Sequence, residues 1–169
     1  MAKIDVINDF KFLNVTAPVG ANGVNLKDDV IVVQALLNYS LRYRNDFRGR
    51  KFPVVSGGMD AGTLRLIKKL QDFINKSPHH QNVTADGRID PAKGDRVAGK
   101  KRRWTILELN LLALETWLLD SARNGSPIGD VCARYPHVKE VLDNSVGSLG
   151  LSLEGSSSVP VGSLGLSLE

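Results

Sequence analysis

The sequence predicts a mainly α fold, with a three-helix core, an added C-terminal helix and a short β-hairpin-like tail. Along separate segments, apolar residues recur at spacings of three and four, as they do on one face of a helix. The last residues instead alternate leucine with small or polar residues, which is the period of a strand. With 42% hydrophobic and 24% charged residues among 169, the chain has the composition of a folded domain that can bury its own core.

Two of the helices follow from apolar stripes between clear start and stop signals. We expect the first helix to begin with Asp28 or Asp29 as its cap and to end near Arg44. We expect the second to begin near Asp60 and to end before Pro78, because proline breaks a helix. Both would place one apolar face against a shared core.

The third helix, Thr105 to Arg123, is dense in good helix formers. Thr105 and Glu108 fit the spacing of a capping box. Apolar residues lie almost all round this helix, so we expect it to be central and mostly buried. A last helix is expected over residues 129–142, kinked or broken at Pro136.

Composition divides the chain into three parts. Residues 1–27 are a lead-in with a short strand and a loop, and residues 28–144 form the helical domain. In residues 145–169 the nonapeptide VGSLGLSLE occurs twice, with fifteen residues from one start to the next. Two such strands would form a hairpin that is marginal alone and needs the body, another chain or a partner's sheet. A flexible tail or an artificially added repeat is the alternative interpretation.

Charge is distributed unevenly along the chain. The formal net charge is +4, but no Lys or Arg follows Lys139, and removing the acidic residues after position 140 leaves +7 for residues 1–140. The N-terminus has no apolar run of secretory-signal length, and no segment reaches the roughly 18 apolar residues of a membrane span. We therefore expect synthesis in the cytoplasm, no membrane partner, and action in the periplasm or cell wall only through another export route.

Four stretches share an order that a known family also has. Val30–Leu37 holds Gln34 between apolar residues, and Gly58–Phe73 is a turn followed by Thr63 and an apolar helix. Ala85–Pro91 is an Asp-Gly turn that ends in proline, and Trp104–Asn110 begins another helix with a threonine. Together, over roughly residues 24–112, these stretches resemble the peptidoglycan-binding-like domain family.

The resemblance implies a small three-helix fold of two related turn-and-helix units, with affinity for the glycan and peptide of the cell wall. It implies a groove between the first helix, the turn at residues 57–63 and the turn at Asp86. Residues 42–58 and 92–104 are longer and more basic than is usual in the family, and residues 113–169 have no counterpart there. The candidate ligand-binding residues are Tyr39, Arg42, Tyr43, Asp60, Arg88 and Trp104.

The sequence predicts no catalytic residues, no cofactor and no metal centre. His79 and His80 lie in a polar segment and are expected to be exposed, and no spacing typical of zinc ligands occurs. Cys132 and His137 are separated by Pro136, which disfavours a nucleophile-and-base pair. Structural roles in caps or turns are sufficient for the remaining acidic candidates Asp60, Asp86, Asp90 and Glu108.

The predicted function is a non-catalytic module that binds peptidoglycan or another anionic wall polymer, in a phage lysis or non-standard secretion setting. A second hypothesis is a structural protein that associates with itself or docks to a larger assembly through residues 146–169. A third is nucleic-acid binding, because residues 42–52 and 100–104 interleave cations with aromatic rings. Ordinary solvated loops would account for the same two runs.

Overall fold

The mainly α prediction is confirmed: the computed structural model is 49% helical, with two small antiparallel strand pairs. It describes residues 1–97, 99–120 and 125–147. The strands are β1 (Lys3–Ile7), β2 (Phe10–Asn14), β3 (Val19–Gly20) and β4 (Arg88–Ile89). The helices are α1 (Lys27–Leu41), α2 (Ala61–Lys76), α3 (Thr105–Leu119), α4 (Pro127–Arg134) and α5 (Pro136–Gly147), with a short 3₁₀ turn at Asn45–Phe47.

The lead-in forms a β-hairpin where the sequence predicted one short strand. Strands β1 and β2 pair antiparallel, with Ile4 opposite Leu13. The two-residue turn between them is Asn8-Asp9, with φ of 48° and 64°. Asn and Asp tolerate this left-handed conformation better than most residues, and the resulting turn matches the twist of a hairpin.

The second strand pair joins the lead-in to the turn that follows α2. Strands β3 and β4 pair antiparallel, with Gly20 opposite Arg88. Gly20 has φ of +116°, and a Cβ there would lie 2.3 Å from the carbonyl oxygen of Gly87. Only glycine therefore permits this close approach.

The central helix is α1, and the prediction that the third helix occupies the centre holds only for its first half. Every residue from Asp29 to Leu41 is buried, because α1 packs against each of the other four helices. In α3 the buried residues lie between Thr105 and Ala113, whereas Leu119 is 88% exposed. The helix ends there and not at Arg123, and residues 121–124 lie outside the described part of the chain.

The caps predicted for the first and third helices are wrong, whereas the start of the second helix near Asp60 is confirmed. The N-cap position of α1 is occupied by Leu26, which cannot cap through its side chain. The buried Asp29 carboxylate instead accepts the backbone N–H groups of Thr16 and Ala17 at 3.0 and 2.9 Å. Similarly, α3 has no side-chain cap, so Thr105 and Glu108 form no capping box. Asp60 does cap α2, and its Oδ1 accepts the N–H of Thr63 at 2.6 Å.

The predicted last helix is two helices, with the break at Tyr135 and Pro136 as the first residue of α5. Helix α5 continues to Gly147, so residues 145–147 are helical and not part of a strand. The rest of the predicted hairpin-like tail, residues 148–169, lies outside the described residues. Among those described, no helix is both long and apolar enough to cross a membrane.

Candidate functional site

A buried glutamine on α1 holds the first turn of the helical core. The Nε2 group of Gln34 donates to the carbonyl oxygen of Gly58 at 2.9 Å and to Thr63 Oγ1 at 3.1 Å. Its Oε1 accepts the backbone N–H groups of Ser56 and Gly57 at 3.0 and 3.1 Å. The side-chain amide thereby joins the turn to the first residues of α2 and satisfies buried backbone groups that would otherwise be unpaired.

A second glutamine, on α2, makes the same kind of contacts to the next turn and the next helix along the chain. Gln71 Nε2 donates to the carbonyl oxygen of Arg88 at 2.9 Å and to Thr105 Oγ1 at 3.3 Å. Gln71 Oε1 accepts the N–H of Gly87 at 2.7 Å, and Gly87 has φ of +74°. The Asp86 carboxylate closes the turn by accepting the N–H of Arg88 at 2.9 Å. This second unit brings the turn at residues 86–90 to the start of α3.

A cavity of about 200 Å³ lies where the second turn, the loop before α3 and the first residue of α3 meet. We call it the turn pocket. Three of its side chains are cationic and two are carboxylates, so its formal charge is +1. Its lining residues are Thr84, Asp86, Arg88, Asp90, Val97, Lys100, Arg103, Trp104 and Thr105.

The cations of the turn pocket differ in how firmly they are held. Arg88 forms two contacts with Asp90, Nε to Oδ1 at 2.9 Å and Nη2 to Oδ2 at 3.2 Å, yet its side chain stays 38% exposed. The hydrogen bond to Asp90 raises the pKa of the Arg88 guanidinium, which keeps it charged. Arg103 is more enclosed, with Nη2 at 3.2 Å from Asp95 and Nη1 at 3.0 Å from Glu108. Lys100 is exposed.

Besides Arg88 Nε, which lies 2.9 Å from Asp90 Oδ1, two buried donors on residues that line the turn pocket lack hydrogen-bond partners among the described residues. They are Nε of Arg103 and Nε1 of Trp104. A buried donor without an acceptor costs about 1–3 kcal/mol, so both atoms would be stabilised by an oxygen acceptor that came within hydrogen-bond distance. The start of α3 lacks a side-chain cap, and the N-terminal N–H groups of a helix also attract negative charge.

Of the six predicted ligand-binding residues, Arg88 and Trp104 lie together in the turn pocket. Asp60 lies elsewhere, as the cap of α2 at the first turn. Arg42 and Tyr43 directly follow α1. Burial raises the pKa of Tyr135, and the charge of Arg42 partly offsets that rise.

The sixth predicted residue, Tyr39, belongs to the core. It is 4% exposed, and its hydroxyl donates to Asp130 Oδ2 at 2.6 Å. Burial and this hydrogen bond raise the pKa of Tyr39, so its hydroxyl stays protonated. The Arg134 guanidinium lies over the Tyr39 ring, 5.6 Å from its centroid, so this cluster attaches α4 to α1.

Two cavities lie near the elements that were expected to form the groove; they share no lining residue, and neither is lined by residues 57–63. One is the turn pocket. The other, of about 250 Å³, lies between the start of α1, residues 55–56 and α5. Helix α5 is part of the segment without a family counterpart, and it forms one wall of this second cavity.

Both basic runs are anchored to one cluster of two acids and His80, in which Glu108 and His80 are buried, and the sequence did not indicate this cluster. Arg44 Nη2 contacts Glu115 at 2.7 Å, and Arg103 contacts Glu108. His80 lies between these acids, with Nδ1 at 3.1 Å from Glu108 and Nε2 at 3.9 Å from Glu115. The His80 side chain is 5% exposed, so the expectation of two exposed histidines is wrong for His80 and holds for His79.

Neither a metal site nor a match to a known protein adds to this picture. Within residues 1–97, 99–120 and 125–147, no three His, Cys, Asp or Glu side chains are grouped as metal ligands would be. Comparison of the chain with protein-family models, curated proteins and solved structures gives no match. The geometry of the turn pocket is therefore the feature of this molecule from which a function can be inferred.

Proposed function

We propose that the chain is a non-catalytic module that binds peptidoglycan, with the turn pocket as its binding site. The observation that carries the proposal is the pair of buried, unpartnered donors on Arg103 and Trp104 beside the accessible guanidinium of Arg88. Wall peptides carry carboxylates and amide carbonyls, which are the acceptors that such donors require.

The size of the turn pocket sets how much of the polymer it holds. At about 200 Å³ it is smaller than the roughly 300–1,000 Å³ of sites that enclose a whole small molecule. It suits one residue of a stem peptide, with the rest of the polymer on the surface. Arg88 is the residue that would bind a carboxylate, and the neighbouring Trp104 would contact the apolar part of the same residue.

A binding role, and not catalysis, is supported by the hydrogen bonds and ion pairs of the two carboxylates in the turn pocket. Asp86 accepts the N–H of Arg88 and lies 3.3 Å from Gln71 Nε2. Asp90 is engaged twice by Arg88. Since each carboxylate already stabilises the turn, neither is placed as a general acid or base, which must reach a substrate proton.

Co-sedimentation with purified wall sacculi at about 150 mM salt tests the proposal. We expect the full chain to be retained, and we expect Arg88→Ala to weaken retention by about tenfold or more, because hydrogen bonds to charged groups contribute about 1.5–3 kcal/mol. Arg42→Ala is the matched control, because it removes the same charge outside the turn pocket. Absence of retention of the full chain, or equal loss in both variants, would contradict the proposal.

A further inference from the structure

Among the described residues, no strand other than β2 pairs with strand β1, so the outer edge of β1 is available to another strand. We propose that the chain's own C-terminal tail, beginning at residue 148, pairs with this edge and extends the hairpin. The proposal does not depend on wall binding, since the edge and the turn pocket have no residue in common.

The hydrogen bonds on the outer edge of β2 show which backbone groups of β1 face away from the hairpin. The Asn110 side chain binds both the N–H and the carbonyl oxygen of Leu13, each at 2.9 Å, so these groups face away from β1. Ile4 is the residue opposite Leu13. In an antiparallel pair, two opposed residues either bond to each other or both point their backbone groups outward. The backbone groups of Ile4, and of Val6 two residues on, therefore face away from β2.

The same edge is already in contact with the end of α5. The carbonyl oxygen of Ala2 lies on the same side of β1 as those of Ile4 and Val6, and it accepts the hydroxyl of Ser145 at 2.8 Å. Beyond this contact, Ile4 is 47% and Val6 57% exposed. An exposed apolar edge strand is a site of aggregation that proteins usually cover.

The starting point of the tail and its alternating leucines both favour the tail as the strand that pairs with β1. The described part of α5 reaches Gly147, two residues after the one that contacts β1, and 22 residues follow. Leu149, Leu151 and Leu153 alternate with Gly and Ser, so an extended chain would carry its leucines on one face. Four extended residues span about 13 Å, which covers the distance along β1 from Ala2 to Val6.

Tethering favours the chain's own tail over the tail of a second copy. A short flexible connection gives an attached segment an effective concentration in the millimolar range, well above that of a separate molecule in a dilute sample. The leucine face would then cover Ile4 and Val6, which share one face of β1.

Amide hydrogen exchange in the full chain tests the pairing. We expect the N–H groups of Ile4 and Val6 to be protected, and we expect their exchange to accelerate by about tenfold or more when Leu151→Asp and Leu166→Asp are combined. One substitution falls in each copy of the repeat, so that neither copy can replace the other.

The control variant combines Ser152→Asp with Ser167→Asp, which adds the same charge to the opposite face and should leave exchange unchanged. The amide of Asp5, on the inner side of β1, should stay protected throughout and so report that the hairpin is folded. Unprotected Ile4 and Val6 amides in the full chain, or equal exchange in the two variants, would overturn the proposal. Protection that depends on protein concentration, with a dimer mass by light scattering, would also overturn it in favour of a second copy.

Discussion

At the scale of single residues, two buried glutamines hold the turns of the helical core. Gln34 and Gln71 occupy matching positions on successive helices, and each binds one turn and one threonine. Both glutamines are buried, and each side-chain amide both donates to and accepts from backbone groups of its turn. Buried polar groups of this kind stabilise a fold when satisfied and are costly when one partner is removed.

Replacement of Gln71 by leucine tests this role. The change leaves the N–H of Gly87 and the carbonyl oxygen of Arg88 without their partner, so we expect the free energy of unfolding to fall by about 2–3 kcal/mol in urea denaturation. Gln81→Leu, at a half-buried loop position, is the control and should change stability by much less. Equal losses in the two variants would mean that the amide does not hold the turn.

At the scale of elements, helix starts depend on side chains that the local sequence identifies only in part. The pattern of α2 predicted its start near Asp60, because a cap there needs only an N–H group three residues along the chain. The cap predicted for α1 failed, because Asp29 binds Thr16 and Ala17 in the preceding segment. Glu108 likewise binds His80 and Arg103, which a local capping pattern does not reveal.

The contributions of Asp60 and Asp28 to the free energy of unfolding can be compared directly. We expect Asp60→Ala to lower the free energy of unfolding by about 1 kcal/mol at neutral pH, and Asp28→Ala by clearly less. The hydrogen bond from the Thr63 backbone lowers the pKa of Asp60 below its ordinary 3.8. The carboxylate therefore contributes its full stabilisation above that ordinary value and loses it as the pH falls through the lower pKa of the folded state.

Urea denaturation of both variants between about pH 2 and pH 7 measures this dependence. The difference between the parent chain and Asp60→Ala should close at the acid end of the series. A loss in Asp28→Ala as large as that in Asp60→Ala would contradict the assignment of the cap.

At the scale of the whole molecule, the two ends of the described chain meet. Helix α5 packs on α1 and contacts the start of β1 through Ser145 and Ala2. Helix α4 is attached to α1 by the Tyr39–Asp130 hydrogen bond. The segment that follows α3 thus packs on the central helix through α4 and α5, and none of its described residues lines the turn pocket.

The sequence predicted the helical class and the Asp86-Gly87 turn, because these follow from periodicity and local turn chemistry. It also identified Arg88 and Trp104, two of the residues that line the turn pocket. It could not predict the buried position of His80, since that depends on acidic residues 28 and 35 positions away. Long-range packing decides such positions, and no local spacing encodes it.

Chemical-shift mapping of the full chain with soluble wall peptides tests the central claim most directly. We predict that the perturbed backbone amides concentrate in residues 84–90 and 99–105, which surround the turn pocket, and that Arg88→Ala removes these perturbations. Spectra unchanged by the peptides, or perturbations confined to Arg42 and Tyr43 at the end of α1, would contradict the account.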